Sequence, residues 1–180
     1  MDVEHAHPTI DRLFEGWREG LGRDLTAYRN HVYRVFNLAT WLVSDPDAEA
    51  VETLAISAAF HDIGIWLDDT LDYLEPSVDR AARFLESVGR TDWSDRVGEI
   101  IRWHHKVRPW HGPGAELVEA FRRADWIDVS LFTLPTRVPR DALRRLLDAF
   151  PRAGFHGRLV VLGVAWARRH PLRPLPMFRW

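Results

Sequence analysis

Apolar residues recur at intervals of three and four residues along nearly the whole chain, which is the spacing of one face of an α-helix. The stretch 28–43 shows this spacing most clearly, at Val32, Val35, Phe36, Ala39 and Leu42. No stretch shows the strong apolar–polar alternation of paired β-strands. The pattern therefore predicts an all-α fold.

Prolines, glycines and acidic clusters divide this pattern into separate helices. The predicted helices span residues 8–20, 28–43, 48–61, 76–88, 93–106, 115–131, 141–150 and 159–169. The acidic stretch 66–75 predicts a loop, and we expect the proline-rich tail, residues 171–180, to pack across the body of the protein. A chain of 180 residues has the size of one domain, so we expect a single domain over residues 1–180.

Composition and charge exclude several classes of protein. Hydrophobic residues make up 46% of the chain, which excludes a disordered protein. The net charge of -2 argues against dedicated nucleic-acid binding, and the absence of cysteine excludes disulfides, thiolate zinc sites and thiol nucleophiles. The N-terminal stretch lacks the apolar segment of a signal peptide, and no apolar run approaches the ~20 residues that cross a bilayer. We therefore expect a soluble, cytoplasmic protein with no membrane partner.

The most informative residues are His61 and Asp62, adjacent polar residues inside the apolar run LAISAAFHDIGIW. Burying an imidazole beside a carboxylate without partners costs several kcal/mol or more, by order of magnitude. A divalent cation satisfies both groups, because the imidazole offers a nitrogen lone pair and the carboxylate an oxygen. This pair therefore predicts a metal site.

His31 and Asp125 are also polar residues within apolar helical stretches, each on a helix of its own. Taken singly, His31 is typical of a core histidine, His61-Asp62 of a helix-end cap, and Asp125 of a salt-bridge acceptor for a neighbouring arginine. Taken together, they place two imidazoles and two carboxylates on three helices. Helical bundles build metal sites from such inward-facing side chains, so the combination favours a metal site.

The order His31, His61-Asp62, Asp125 resembles the H…HD…D pattern of the HD-domain superfamily of metal-dependent phosphohydrolases. The resemblance covers about residues 25–135, with the helices and tail of 136–180 expected to pack on that core. It implies an all-α helical bundle with one divalent metal ion held between helices by these four residues. Many members of this superfamily cleave phosphate esters of nucleotides. Mixed nitrogen and oxygen ligands suit Mn, Fe, Co, Ni or Zn.

A second histidine pair, His104-His105, lies in the run IIRWHHKVRPWH. Adjacent residues of a helix point about 100° apart, so we expect only one of the two to face the site. We predict a catalytic role for this pair, in phosphate binding or proton transfer. Asp128 lies one helical turn after Asp125, and we expect it to hydrogen-bond a ligand histidine or a basic side chain.

Other charged residues are candidates for binding the substrate or activating water. In some one-metal members of the superfamily an acidic residue after the HD pair positions the attacking water, and by that resemblance Asp68 or Asp69 is a candidate general base, with Asp69 favoured. Lys106, Arg108 and Arg34 are candidate phosphate contacts, because ammonium and guanidinium groups complement phosphate oxygens.

The resulting hypothesis is a metal-dependent phosphomonoesterase or phosphodiesterase. It would cleave a small phosphorylated substrate such as a nucleotide with a metal-activated water. Two alternatives stay open: a two-iron oxygenase on the same scaffold, and a non-catalytic module that binds a nucleotide or a protein partner. The usual two-metal spacing is absent, because no histidine lies between Asp62 and His104. The tryptophans and the C-terminal tail are compatible with a homodimer but do not require one.

Overall fold

The computed structural model describes residues 1–177. Within them the fold is all-α, as predicted, with ten α-helices and no strand. The helices are α1 (Pro8–Gly16), α2 (Arg18–Leu21), α3 (Leu25–Leu42), α4 (Ala48–Phe60), α5 (Gly64–Leu67), α6 (Leu74–Ser87), α7 (Ser94–Trp103), α8 (Ala115–Val129), α9 (Arg140–Ala149) and α10 (Phe155–Arg169).

Local chemistry sets the helix boundaries. Pro8 occupies the first turn of α1, where its missing N–H is not needed. The carboxylate of Asp47 accepts the N–H of Ala50 at 2.7 Å and so caps α4. Gly89, with a φ of +71°, follows the end of α6 in the left-handed conformation that glycine adopts without strain.

Several predicted boundaries are wrong. The helix predicted at 8–20 is divided into α1 and α2, α3 starts at Leu25 instead of residue 28, and α7 ends at Trp103 instead of residue 106. The predicted loop at 66–75 begins later, because α5 forms a short helical turn directly after the HD pair. The last helix starts at Phe155, four residues earlier than predicted, because Gly154 at a φ of +83° turns the chain into it.

Helix α3 lies at the centre of the bundle, where it packs against α4, α8, α9 and α10. Its side chains are buried on nearly every face, and Tyr28, Val32 and Leu38 are inaccessible to solvent. Polar residues on α3 must therefore find partners inside the protein. This position places His31 in the interior.

The C-terminal tail packs on a smaller apolar cluster. Met177 is buried there with Ile65, Leu71 and Tyr73, and Trp166 of α10 packs against the cluster. Among the described tail residues only Pro176 and Met177 are buried, whereas residues 171–175 are exposed, so the expected packing is seen at Met177 alone. Residues 178–180 lie outside the described residues.

The stretch Ala48–Leu67 is long and apolar enough, by length and composition, to cross a membrane. It has 20 residues and a hydropathy of 1.2, which corrects the expectation that no apolar run approaches this length. It covers α4, the HD turn and α5, and 72% of its most apolar stretch of 18 residues is buried inside the protein. Burial of this kind is typical of the core helix of a globular protein, so the stretch is weak evidence for a membrane segment.

Candidate metal centre

Three helices and one turn bring the four predicted ligands together at the centre of the bundle. His31 lies on α3, His61 and Asp62 follow the last turn of α4, and Asp125 lies on α8. The two histidines are inaccessible to solvent, and the two aspartates are 4% and 1% exposed. The predicted residues therefore form one buried group.

The ligand atoms of this group lie within a narrow range of distances. The Nε2 atoms of His31 and His61 are 3.0 Å apart. His31 Nε2 lies 3.6 Å from Asp62 Oδ2 and 3.6 Å from Asp125 Oδ1, and His61 Nε2 lies 3.2 and 3.8 Å from the same two oxygens. Atoms bound about 2.1 Å from one ion are separated by roughly 3 to 4.2 Å. The distances that join the two histidines to each other and to each aspartate are therefore those of ligands around a common cation.

The other ring nitrogens hold the histidines in the orientation that a metal ligand needs. His61 Nδ1 donates to the carbonyl of Ala58 at 2.8 Å, and His104 Nδ1 donates to the carbonyl of Ile101 at 2.7 Å. A carbonyl only accepts, so the proton of each neutral ring resides on Nδ1. Each Nε2 therefore directs a lone pair into the buried group.

Asp128 performs the same task for His31. Its Oδ2 accepts from His31 Nδ1 at 2.8 Å, and the guanidinium of Arg34 donates to Oδ1 at 2.6 Å and to Oδ2 at 2.9 Å. Burial alone raises the pKa of Asp128, but the hydrogen bonds from His31 and Arg34 outweigh it and hold that pKa well below its usual range. Asp128 was predicted to bond a ligand histidine or a basic side chain, and it bonds both.

The prediction that Arg34 contacts a substrate phosphate is wrong. Arg34 is inaccessible to solvent, and its Nη1 bonds the carbonyls of Phe150 and Pro151. A guanidinium that is closed off from solvent and bonded to a buried carboxylate and two carbonyls cannot reach a substrate phosphate. Arg34 neutralises Asp128 instead.

Three buried atoms of the group have no hydrogen-bond partner among the described residues: Asp62 Oδ1, Asp125 Oδ1 and His104 Nε2. Each is an acceptor in the arrangement above, and an unsatisfied acceptor in a dry interior is costly. A divalent cation supplies the missing partner to nitrogen and oxygen alike, so this donor set fits a metal ion. The combination of imidazole and carboxylate is the one that Mn, Fe, Co, Ni and Zn accept.

Burial and neighbouring ionisable groups have opposite effects on the pKa values of Asp62, Asp125 and His31. Burial raises the pKa of Asp62, but the neighbouring imidazoles of His61, His104 and His31 outweigh it, so that pKa is lowered well below its usual value. Burial raises the pKa of Asp125, which His104 and His31 only partly offset. Burial lowers the pKa of His31, but Asp128 and Asp62 raise it to about 9. A proton therefore competes with a cation for His31 Nε2.

Both His104 and His105 face the group, which corrects the expectation that only one would. His104 Nε2 lies 3.5 Å from Asp62 Oδ1, and His105 Nδ1 lies 3.7 Å from Asp125 Oδ2. Helix α7 ends at Trp103, and a turn closed by the N–H of Lys106 follows it. Because His104 and His105 lie in this turn and not in the helix, their side chains need not point 100° apart. Each carboxylate thus presents one oxygen to His31 and His61 and the other toward this second pair.

Tyr73 belongs to the site, although the sequence analysis did not identify it. Its hydroxyl lies 2.5 Å from His105 Nε2, and burial raises its pKa well above the usual value. Gly64 makes room for it, because a Cβ at Gly64 would lie 3.0 Å from the Tyr73 carbonyl oxygen and 3.1 Å from its Cβ. Tyr73 lies in a loop without periodicity, so no sequence pattern marks it.

The remaining predicted residues lie outside the buried group. Asp68 forms a two-pronged ion pair with Arg80, at 2.7 and 3.0 Å, so its predicted role as a general base is not supported. Asp69 lines a small cavity beside α10. Lys106 Nζ lies 5.3 Å from the centre of the Trp103 ring, and Arg108 is exposed. The roles of Asp69, Lys106 and Arg108 stay predictions.

Comparison with known protein families agrees with this geometry. The family model described as HD domain matches residues 28–130, which is more than half of the chain and includes all of the histidines and aspartates of the buried group. No curated protein and no solved structure matches the chain. HD domains bind divalent metals and are generally metal-dependent hydrolases. The chain therefore belongs to the HD domain family.

Proposed function

We propose that this protein is a metal-dependent phosphohydrolase that cleaves a small phosphate ester, with nucleotides as the first class to test. The observation that carries the proposal is the convergence of buried histidine nitrogens and aspartate oxygens. Three of these acceptor atoms have no hydrogen-bond donor among the described residues. Such a group offers a cation the lone pairs that its buried acceptors leave without a partner. Family membership adds the expectation of hydrolase chemistry.

In this proposal His31, His61, Asp62 and Asp125 hold one divalent ion. When bound, such an ion polarises a phosphoryl oxygen and lowers the pKa of a coordinated water, which supplies a hydroxide near neutral pH. Asp128 keeps the His31 ring oriented, and the carbonyl of Ala58 does so for His61. The buried walls of the site limit bulk water, which strengthens the electrostatic interactions inside.

His105 is the residue of the group that meets both solvent and the carboxylates. Its side chain is 15% exposed, whereas those of His31, His61 and His104 are inaccessible. We assign His105 the handling of a proton at the substrate, with Tyr73 orienting its ring through Nε2. Lys106 and Arg108 follow directly in the chain and are the proposed phosphate contacts, and Asp69 is the proposed additional base.

Elemental analysis combined with a hydrolysis screen tests the proposal. Purified protein should contain about one equivalent of Mn, Fe, Co, Ni or Zn. It should hydrolyse at least one member of a panel of nucleotides, sugar phosphates and phosphodiesters. Chelation should remove both properties and re-addition of the metal should restore them. Protein that contains metal but turns over no phosphate ester with any of these ions would contradict the proposal and favour the binding module.

One observation favours a second candidate, the two-iron oxygenase. His104, His105 and Asp125 form a further group whose ligand atoms lie within 4.8 Å of one another, next to the first. Two iron ions per chain, together with iron-dependent oxygen consumption, would support that function. One ion per chain and no oxygen consumption would exclude it.

A further inference from the structure

The segment Phe150–His156 lies beyond the matched family region, between α9 and the first turn of α10, and it contacts the helix that carries His31. We propose that this segment positions His31 for metal binding and that Phe155 is its main positioning residue. The proposal rests on the metal site of the proposed function but not on the reaction catalysed there.

Phe155 covers one face of the His31 imidazole. The two ring centres are 4.0 Å apart and the planes differ by 14°, which is a parallel stack. Phe155 is inaccessible to solvent, so this contact is buried. The hydrogen bond to Asp128 holds one edge of the imidazole, and the stacked ring restricts its tilt. Together they hold Nε2 in the direction of the other ligands.

Backbone groups of the same segment attach it to α3 on either side of His31. The carbonyl of Pro151 accepts from Asn30 Nδ2 at 2.7 Å, and the carbonyl of Phe150 accepts from Arg34 Nη1 at 3.0 Å. Both donors are buried, so each needs these acceptors. The segment therefore cannot move away from His31 without leaving buried donors unpaired.

The segment also reaches Asp128, the residue that orients His31. His156 Nε2 donates to the backbone carbonyl of Asp128 at 3.0 Å. Ala153 and Gly154 both have positive φ angles, and this left-handed turn directs Phe155 and His156 inward. Residues 150–156 thus contact the imidazole of His31, the guanidinium of Arg34 and the backbone of Asp128.

The test compares Phe155→Leu with Phe36→Leu. Phe36 is a matched control, because it is also a buried phenylalanine and lies on α3, the helix of His31, but the only histidine ring it contacts among the described residues is that of His7, outside the metal site. Cobalt(II) titration gives the Kd, and the visible spectrum of the cobalt protein reports the ligand geometry. Phe155→Leu should raise the Kd about tenfold and alter the spectrum, as expected for a contact that orients a ligand. Phe36→Leu should lower the unfolding temperature with no change in either property.

The outcomes separate this inference from the proposed function. A wild-type Kd and spectrum in Phe155→Leu would overturn the inference, whether or not the enzyme hydrolyses phosphate esters. A changed Kd and spectrum in a protein that hydrolyses nothing would support the inference and contradict the function. Failure of the wild type to bind cobalt(II) would overturn both. If Phe155→Leu does not fold, Phe155→Met applies the same test with a more adaptable side chain.

Discussion

Asp62 and Asp125 have two histidines on each side, His31 and His61 on one and His104 and His105 on the other. The two sides differ in how the protein holds the histidines and in their access to solvent. On one side, His31 and His61 are inaccessible, and their Nδ1 atoms bond Asp128 and the carbonyl of Ala58. On the other side, His104 is held in the same way by the carbonyl of Ile101, but His105 is partly exposed and bonds the hydroxyl of Tyr73. The first side is closed by the core, and the second meets the surface.

This difference indicates a division of labour between the two sides. A rigid, buried set of ligands holds a cation in one geometry, because the surrounding protein has already fixed each side chain. A partly exposed histidine next to the same carboxylates can meet a substrate that enters from solvent. We therefore expect substitutions on the first side to remove the metal, and those on the open part of the second side to slow turnover with the metal retained.

The largest effect is expected for Asp62→Asn. Asp62 presents one oxygen to each side, so its loss should abolish both metal content and turnover. Elemental analysis and a hydrolysis assay measure the two properties. Asp68→Asn is the control, since Asp68 pairs with Arg80 outside the buried group and its replacement should leave the metal in place. Full metal occupancy in Asp62→Asn would remove Asp62 from the ligand set.

The next largest effect is expected for His105→Ala. Loss of a residue that transfers a proton at the substrate lowers kcat by roughly 10² to 10⁴. We expect such a loss with one equivalent of metal retained, whereas His31→Ala should lose the metal itself. Metal content measured on both variants decides between the two roles. If wild-type protein holds two ions and His105→Ala holds one, His105 is a ligand of a second ion, as in the oxygenase alternative.

The pH dependence of metal binding should report the loss of a proton from His31, on the buried side of the site. Burial lowers the pKa of His31, but Asp128 and Asp62 raise it to about 9, so below that pH a proton must leave before a cation binds. Apparent affinity should therefore rise about tenfold per pH unit between pH 7 and 9, roughly 100-fold in total, and level off above 9. Calorimetry in buffers of different ionisation enthalpy should detect at least one proton released per ion at pH 7.5. An affinity independent of pH over this range would contradict the assignment.

The smallest effect is expected for Arg34→Lys. A lysine keeps the charge but cannot donate to both oxygens of Asp128 and to the Phe150 carbonyl at once. We expect metal affinity to fall about tenfold with KM for the phosphate ester unchanged. Arg108→Lys, at an exposed position, should leave metal affinity at the wild-type level. A raised KM with unchanged metal affinity in Arg34→Lys would restore its predicted role as a phosphate contact.

Residues of the apolar helical stretches in the sequence were predictable as members of the site. A polar side chain at an apolar position needs a partner, and this argument pointed to His31, His61, Asp62 and Asp125 as a set, to which the resemblance to the HD-domain superfamily gave the role of metal ligands. Asp128 followed from the spacing of one helical turn. Residues outside the helices were not predictable in this way: the orientation of His104 and His105 depends on where α7 ends, and Tyr73 approaches from a loop.

The sequence by itself determined the all-α class, most helix boundaries and the residues that must meet in the interior, because periodicity and helix-breaking residues act locally along the chain. Only the tertiary structure decided which charged side chains can reach a ligand and which are bonded inside the protein. Arg34 lies on the same helix as His31 and was a candidate phosphate contact, but hydrogen bonds to Phe150, Pro151 and Asp128 hold it in the interior. Phe155 joins His31 from far along the chain. Contacts between distant segments depend on how the helices pack, and no local pattern records that.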